Sequence, residues 1–529
     1  MRQLRYILAV SSAVILSVAS LGAQGTTGTL SGRVTDNATH QPINGATIST
    51  GTRGALTGVD GRYTMTLPAG TYTVRARMIG YGPEPRSVTV TAGQTTTADF
   101  ALTAEAVTLS QIVVTGYGQQ RAGDITGAVK QLTPAQFNPG RIISPQQLIE
   151  SKVSGVQVID NNEPGGGISI RIRGATSINA SSEPLYVVDG VPLGGGAGGG
   201  VSAGRDPLNF LNPDDIASIT VLKDASSAAI YGANAANGVV LIETKSGQHS
   251  PQLQYSTNVS TSTITRVPDM LNASQFRAAV TQYAPQNVAQ LGNANTDWFS
   301  QVEHSGFGQE HNLAFAGSTP TMNYRMSLGY LDQNGVIDST ATQRVSLGLN
   351  YEQRLFSDRL TVRTNVKGAR TADLFTPGGV LSNAAQMGPT QPILDANNAT
   401  GFYEWPNNAL QSADNPVAIL ALGQDHGTTY RSIGNVQAEY LFPFLNGLKA
   451  HVNLGYDVTA AERKTFSPST MHSQLKTGGG GSVYRGTSDM TNTLLETYLN
   501  YTAPLNVLPG TIDLTGGYSY SQSNAQYPW

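Results

Sequence analysis

The sequence predicts a mostly β protein in three blocks: a small N-terminal β-sandwich, an α+β unit, and the first part of a transmembrane antiparallel β-barrel that stops before closing. Three observations predict it. Only 13% of the 529 residues are charged, about half the usual share, while 59 Gly and 22 Tyr favour turns, strands and amphipathic aromatic surfaces. After the N-terminal apolar run, no segment is apolar for long enough to be a spanning helix, so a membrane crossing would have to be made of closed strands. From about Leu253 onward, apolar and polar residues alternate along one long segment after another.

Residues 1–23 read as a signal peptide. Arg2 and Arg5 precede the apolar run Ile7 to Val18, and small residues follow up to Ala23, before Gln24. Export places the chain outside the cytoplasm. There is no cysteine, hence no disulfide, catalytic thiol, cysteine metal site or lipoprotein anchor. The balance of 32 bases against 35 acids leaves no basic footprint for nucleic acid.

Residues 28–103 carry about six or seven short strands, among them "LSGRVTD", "ATIST", "RYTMTL", "TYTVRARM", "RSVTV" and "ADFAL", with turns at Asp60-Gly61 and Ala69-Gly70. The order "SGRVTD...PINGATI...TGVDGRYTMTLPAGTYTVRARMIGY" resembles the carboxypeptidase regulatory-like domain family, an accessory fold that implies no peptidase activity. A zinc peptidase needs clustered His and acidic ligands. This stretch offers only His40, in the turn "NATHQP", which reads as a solvated loop histidine.

Residues 104–119 form a small, polar linker broken by "SQIVVTGYG". Its alternation fits a strand that completes a neighbouring sheet. It also fits a detached segment offered to another protein, since an extended segment can add to a partner's sheet through main-chain bonds.

Residues 120–247 mix strands ("VSGVQVI", "ISIRIRG", "PLYVVDG", "ASITVLK", "GVVLIETK") with short helical stretches near Pro145–Lys152 and Ala225–Tyr231. "YGANAANG" demands a tight reversal in which Gly232 and Gly238 take φ > 0. Asp214 and Asp215 follow Pro213 as helix or turn caps would, which is favoured over a catalytic or calcium cluster with Asp189 and Asp224. "GGGAGGG", Gly194 to Gly200, has no phosphate-cradling Lys and reads as a loop. Together "IRGATS", "PLYVVDGVPL", "NPDDIASITVLKDASSAAIYGANAANGVVLIETKSG" and the upstream "IVVTGYG" resemble the plug region of SusC/RagA-type TonB-dependent outer-membrane transporters. Asn234 departs from that pattern, which has Arg there, and puts in doubt any salt bridge from this position to the barrel wall.

Residues 250–529 read as about nine barrel strands. In "MNYRMSLGY", Tyr324, Met326, Leu328 and Tyr330 face one way and Asn323, Arg325, Ser327 and Gly329 the other. "LKAHVNLGYDV" repeats the design and puts His451 on the lumen side. Short links ("GSTPT", "LFSDR", "PFLNG", "PLNVLPG") alternate with long ones at 265–305, 371–429 and 459–490, which places the short turns in the periplasm and the long loops outside. Plugged transporters have 22 strands. The ending "SNAQYPW" lacks alternation and contains Pro528, so the chain is read as truncated, with open strand edges and no competence for transport by itself.

The resemblance implies import of a sizeable nutrient, an oligosaccharide or a peptide, across the outer membrane. It implies TonB and a SusD-like surface lipoprotein as partners, with outer-membrane lipid around the barrel and the N-terminal domains in the periplasm. It also implies a TonB-box role for Ile112, Val113, Val114, Thr115 and Gly116. The alternative is a surface-binding or adhesive outer-membrane protein without transport. No triad, metal cluster or carboxylate pair of readable spacing supports an enzyme, and no cofactor is expected. Within "GFYEWPNN", Phe402, Tyr403 and Trp405 offer aromatic faces to a ligand. The alternative, favoured because a loop this long needs a core of its own, is that they pack within the loop itself or against a lid protein.

Overall fold

The computed structural model describes residues 27–528 except 52, 79–80, 104–111, 116–117, 122–128, 176–180, 195–205, 225–228, 248–250, 407–411 and 505–509. The signal peptide, most of "GGGAGGG", Gly116 and Trp529 lie outside the described residues. Two compact units divide the chain, one up to residue 108 and one from 109. Among the described residues no helix is long and apolar enough to cross a membrane.

The first unit is a sandwich of two four-stranded sheets. In one, Thr27–Asp36 pairs antiparallel with Arg62–Pro68 and parallel with Thr95–Thr97 and Phe100–Leu102. The other runs Gly54–Leu56, Thr47–Ser49, Gly70–Arg77, Glu84–Val90. Along Arg62–Pro68 every second residue points inward, so Tyr63, Met65 and Leu67 join Leu30, Val34, Ile48, Val74, Phe100 and Leu102 in the core. The buried Tyr63 hydroxyl donates to the Ala98 carbonyl at 2.6 Å, as a phenol withdrawn from water must. Gly61 has φ 74° and lies so close to the Val34 carbonyl that a Cβ would sit 2.6 Å from it. Ala69-Gly70 is not a hairpin turn as expected: the strands on either side belong to different sheets, and the chain crosses between them there. "ADFAL" contributes only Phe100–Leu102, preceded by the separate strand Thr95–Thr97.

In the second unit, Ile112–Thr115 pairs with Gly118–Arg121 as a two-stranded ribbon that joins no other sheet among the described residues. The plug is a five-stranded mixed sheet in the order Val129–Leu132, Ile216–Leu222, Val239–Thr244, Leu185–Val188, Val191–Pro192, with a separate ribbon of Val156–Asp160 and Ile168–Ile172. Val129–Leu132 has no clear alternation and escaped the sequence reading. The helix expected near Pro145–Lys152 is a 3-10 turn, Pro145–Ile149; of the one expected near Ala225–Tyr231, residues 225–228 lie outside the described residues, and the 3-10 turn Ala229–Ala235 covers the rest. Gly232 and Gly238 have φ 62° and 87°, as the reversal requires.

Nine antiparallel strands then follow in chain order, each paired to the next: Gln252–Ser262, Gly306–Ser318, Met322–Asn334, Ala341–Leu355, Leu360–Leu374, Gln424–Leu441, Leu448–Ser467, Ser482–Pro504 and Thr511–Gln526. The last strand takes in "SNAQ" although that stretch lacks alternation. The link expected at 459–490 shrinks to 468–481, because its flanking strands run on, paired residue for residue from Leu448↔Tyr501 to Ser467↔Ser482. The long links 263–305, 375–423 and 468–481 all fall on one side of the sheet, as expected, but 335–340 on that side is as short as 442–447 on the other. The burial pattern is the reverse of a water-soluble sheet. In Met322–Asn334, Arg325, Ser327 and Gly329 are buried while Met326, Leu328 and Tyr330 are exposed. Lipid on the outside and a polar plug on the inside account for both faces.

Candidate functional site

The polar inner face of the sheet is covered by the plug, and the two meet through hydrogen bonds from strand side chains to plug backbone. Arg344, 2% exposed, donates to the carbonyls of Ile143 and Asn209, both at 3.0 Å. Arg431 donates to the Pro207 carbonyl at 2.8 Å, is held by two 2.9 Å bonds to Asp457, and lies over the Phe210 ring, 4.6 Å from its centroid. Guanidinium groups suit this position, because their forked donors satisfy several acceptors at once and the charge stays partnered. Among the described barrel residues, only Ile433 and the half-buried Ala369 join the plug's apolar core.

Two plug segments carry the acids. In "VVDGVP", Asp189 and Gly190 both have positive φ, 49° and 87°, and form the two-residue turn between Val188 and Val191. An Asp-Gly pair favours this turn because its twist matches the strands. The turn tip enters the barrel. The Asp189 carbonyl accepts from Asn435 and Gln437, Gly190's from Asn453, and the Asp189 carboxylate lies 3.4 Å from Lys367 while bonding Thr244.

The second segment is "NPDD", where the capping assignment is corrected. Asn212, not an acid, caps the turn, its side chain accepting from the Asp214 amide. The acids reach the wall instead. Asp215 meets Arg325 at 2.8 Å and accepts from Ser327, and Asp214 accepts from Ser256 and Asn312 at 2.7 and 2.8 Å. Asp224 pairs with Arg173 within the plug. Asn234 is exposed on its 3-10 turn, so contacts to the wall arise from other positions than the one the family pattern singles out. Asp206 is buried beneath Arg344 and accepts from Ser144, Gln146 and the Leu208 amide. Burial pushes its pKa up to about 6, against the pull of those donors and of Arg344.

Such a seam is specific without being greasy. Each hydrogen bond contributes about 0.5–1.5 kcal/mol net, and desolvation offsets much of each buried ion pair. The plug is therefore held in register by many modest bonds rather than welded in by an apolar core.

On the long-loop side, Trp298, Phe299 and Val302 from one loop join Val380, Met387, Ile419 and Leu420 from another in a separate apolar cluster. Tyr403 and Trp405 pack against it, edge to face with ring centroids 5.9 Å apart, and Phe402 is half-buried in an isolated bridge with Leu394. The structure thus brings Tyr403 and Trp405 together in a loop core and leaves them partly open. Asn415, fully buried, ties the segment down by donating to the carbonyls of Ile393 and Tyr403.

Ligand atoms of Glu404, Asp414 and His472 lie within 4.8 Å of one another, as a metal site would need. The Lys476 ammonium, 2.8 Å from Asp414, already supplies the cation, so this is an ion-pair network. His451 lies on the lumen face with Asn453 and Asp457 and stacks on Tyr498, centroids 4.5 Å apart.

Residues 29–103 match the carboxypeptidase regulatory-like domain and residues 121–239 the TonB-dependent receptor plug domain. The chain is 32% identical over 487 residues to the TonB-dependent receptor SusC of Bacteroides thetaiotaomicron, covering 87% of this chain and 47% of that one. It is 34% identical over 487 residues to the TonB-dependent receptor P3 of Formosa agariphila, covering 89% and 45%. The fold is shared with the RagAB peptide importer in its open-open state, with TM-score 0.63 and 20% identity over 79% of this chain and 50% of that one. The chain therefore spans about half the length of the curated relatives it matches.

Proposed function

Because the chain belongs to the SusC/RagA type of TonB-dependent receptor, we propose that it is the N-terminal portion of an outer-membrane importer for a sizeable nutrient, an oligosaccharide or a peptide. In this reading residues 28–103 are a periplasmic accessory sandwich and 104–119 the coupling linker. Residues 120–247 are the plug and 250–529 the first part of the barrel. TonB and a SusD-like surface lipoprotein are the partners. The observation that carries it is the hydrogen-bonded seam between a polar plug and a sheet whose outer face is apolar. A plug so held blocks the lumen yet can be shifted by breaking modest bonds a few at a time, given an energy input. The relative named as a peptide importer supports a peptide as cargo.

Ile112–Thr115 suits the coupling role because it is a strand in a detached ribbon, free to exchange a weak partner for a stronger one. Val113→Pro in the full-length receptor removes a ladder donor. Uptake by cells carrying it should vanish while ligand binding at the surface persists. Unimpaired uptake would remove Ile112–Gly116 from this role, and uptake that is absent even in the wild type would leave the surface-binding reading.

Phe402, Tyr403 and Trp405 are the proposed ligand contacts, through the parts of their rings left open by the loop core. Trp405→Ala should weaken ligand binding several-fold with barrel assembly intact. Equal loss of binding, lid association and assembly would mark the cluster as purely structural, and unchanged affinity would exclude the contact.

A further inference from the structure

Two long-side loops that belong to different hairpins are fastened together by buried charge. The loop 375–423 supplies Glu404 and Asp414, and the loop 468–481 supplies His472 and Lys476 from the five-residue helix His472–Lys476. The His472 Nδ1 lies 2.7 Å from Asp414 and 3.4 Å from Glu404. Lys476 lies 2.8 Å from Asp414 and donates to the Ser412 carbonyl. Glu404 also accepts from the Asn415 amide at 3.1 Å. The side chains of His472, Glu404 and Lys476 are 2%, 8% and 8% exposed, so this is not a rim of solvated ions.

The charge count decides how such a cluster behaves. Two carboxylates against one ammonium leave a buried net negative charge, which is costly. One further proton, on Glu404, makes the cluster neutral. Closing the two loops onto each other is therefore linked to taking up a proton near neutral pH.

We propose that Glu404, Asp414, His472 and Lys476 form a proton-dependent latch that locks the 468–481 loop onto the aromatic segment of its neighbour and lets go as the medium turns alkaline. The target of the latch is specific, since Glu404 stands between Tyr403 and Trp405, whose rings pack on the opposite side into the apolar cluster. Releasing Glu404 loosens the segment that carries them.

The charged and titratable groups facing Glu404 are Asp414 on its own loop and His472 and Lys476 on the other, with Asp395 and Tyr403 close by in the first loop. Burial pushes Glu404 up to about 7, while hydrogen bonds from His472 and Lys476 hold Asp414 below the ordinary carboxylate value. A raised acid favours the closed state fully below its ordinary value of 4.5, and that preference is lost as pH rises through about 7. The depressed Asp414 acts in the opposite sense, its contribution present above 3.8 and lost as pH falls further. The latch is tightest in mildly acidic medium and open above neutrality.

Hydrogen exchange on the intact full-length receptor in lipid tests this, with rates corrected for the intrinsic pH dependence. Peptides spanning 400–406 and 470–478 should exchange at least about tenfold faster at pH 8.5 than at pH 5.5, a free-energy change of about 1.4 kcal/mol. The sandwich strand Arg62–Pro68 should not change. Glu404→Gln keeps an acceptor for the Asn415 amide but cannot ionise, and should hold both loops protected at both pH values. Lys476→Met should open them at both. A wild-type receptor whose loops are equally protected across this range overturns the proposal without any variant. So does Glu404→Gln with the wild-type pH dependence, or Lys476→Met with undiminished protection.

Discussion

The N-terminal sandwich and the barrel sheet use the same two-residue period with opposite consequences. In Arg62–Pro68 the apolar residues Tyr63, Met65 and Leu67 face a core of their own kind and the polar ones face water. In Met322–Asn334 the apolar Met326 and Leu328 face outward and Arg325 and Ser327 face inward onto the plug. Pleating alone does not say which face is the inside. Solvent does: the sandwich closes on itself in water, whereas the barrel sheet needs lipid on one side and a polar partner on the other.

The sharpest way to break this contrast is to shorten one leucine on each side of it. Leu67→Ala should cost about 2–5 kcal/mol, because it removes apolar contact and leaves a cavity. Leu328→Ala should cost clearly less, since fluid lipid fills the gap and no cavity remains. Denaturant unfolding of the full-length receptor in bilayers, with exchange resolving the sandwich from the barrel, checks the order. Equal costs would mean that Leu328 faces a packed protein interior.

Asp206 sharpens the polar side. Its ordinary value is 3.8 and burial raises it to about 6, so the plug is favoured most below 3.8 and that preference is lost as pH rises through about 6. The effect amounts to about 2–3 kcal/mol at most. Exchange around 206–211, corrected for the intrinsic pH dependence, should be slower at pH 4 than at pH 7, and Asp206→Asn should remove the difference. The sandwich, measured in the same experiment, should show none.

The turns give the smallest effect. The sandwich reverses at Asp60-Gly61 with glycine in the left-handed position. The barrel turn after Leu355 instead puts Phe356, Ser357 and Asp358 at φ 52°, 57° and 66° with no glycine. Side chains in that region are strained by about 1 kcal/mol each. Ser357→Gly should therefore stabilise the barrel by up to about 1 kcal/mol, and a lowered denaturation midpoint would show that the serine side chain makes a compensating bond.

How far the architecture was legible follows from how local its causes are. The division of each strand into an apolar and a polar face, the placement of the long links and the glycine reversal at Gly232 and Gly238 each depend on residues within a few positions, so the sequence by itself determined them. What escaped depends on partners far along the chain. The local pattern at Asp214 and Asp215 fits a cap, yet Asp215 is spoken for by Arg325, 110 residues away. The strand Val129–Leu132 carries little signal of its own and exists because Ile216–Leu222 offers it an edge. Ala69 looks like a hairpin turn and is a crossing between sheets, which only the packing of two sheets can impose. The aromatic rings at Tyr403 and Trp405 are visible in the sequence, but their packing against the apolar cluster of the two loops is not. The latch pairs Glu404 and Asp414 with a histidine 58 residues beyond Asp414. Side-chain period is a property of the backbone and travels with the sequence. The partner of a buried charge is chosen by which strands come to lie side by side, and only the tertiary structure decided that.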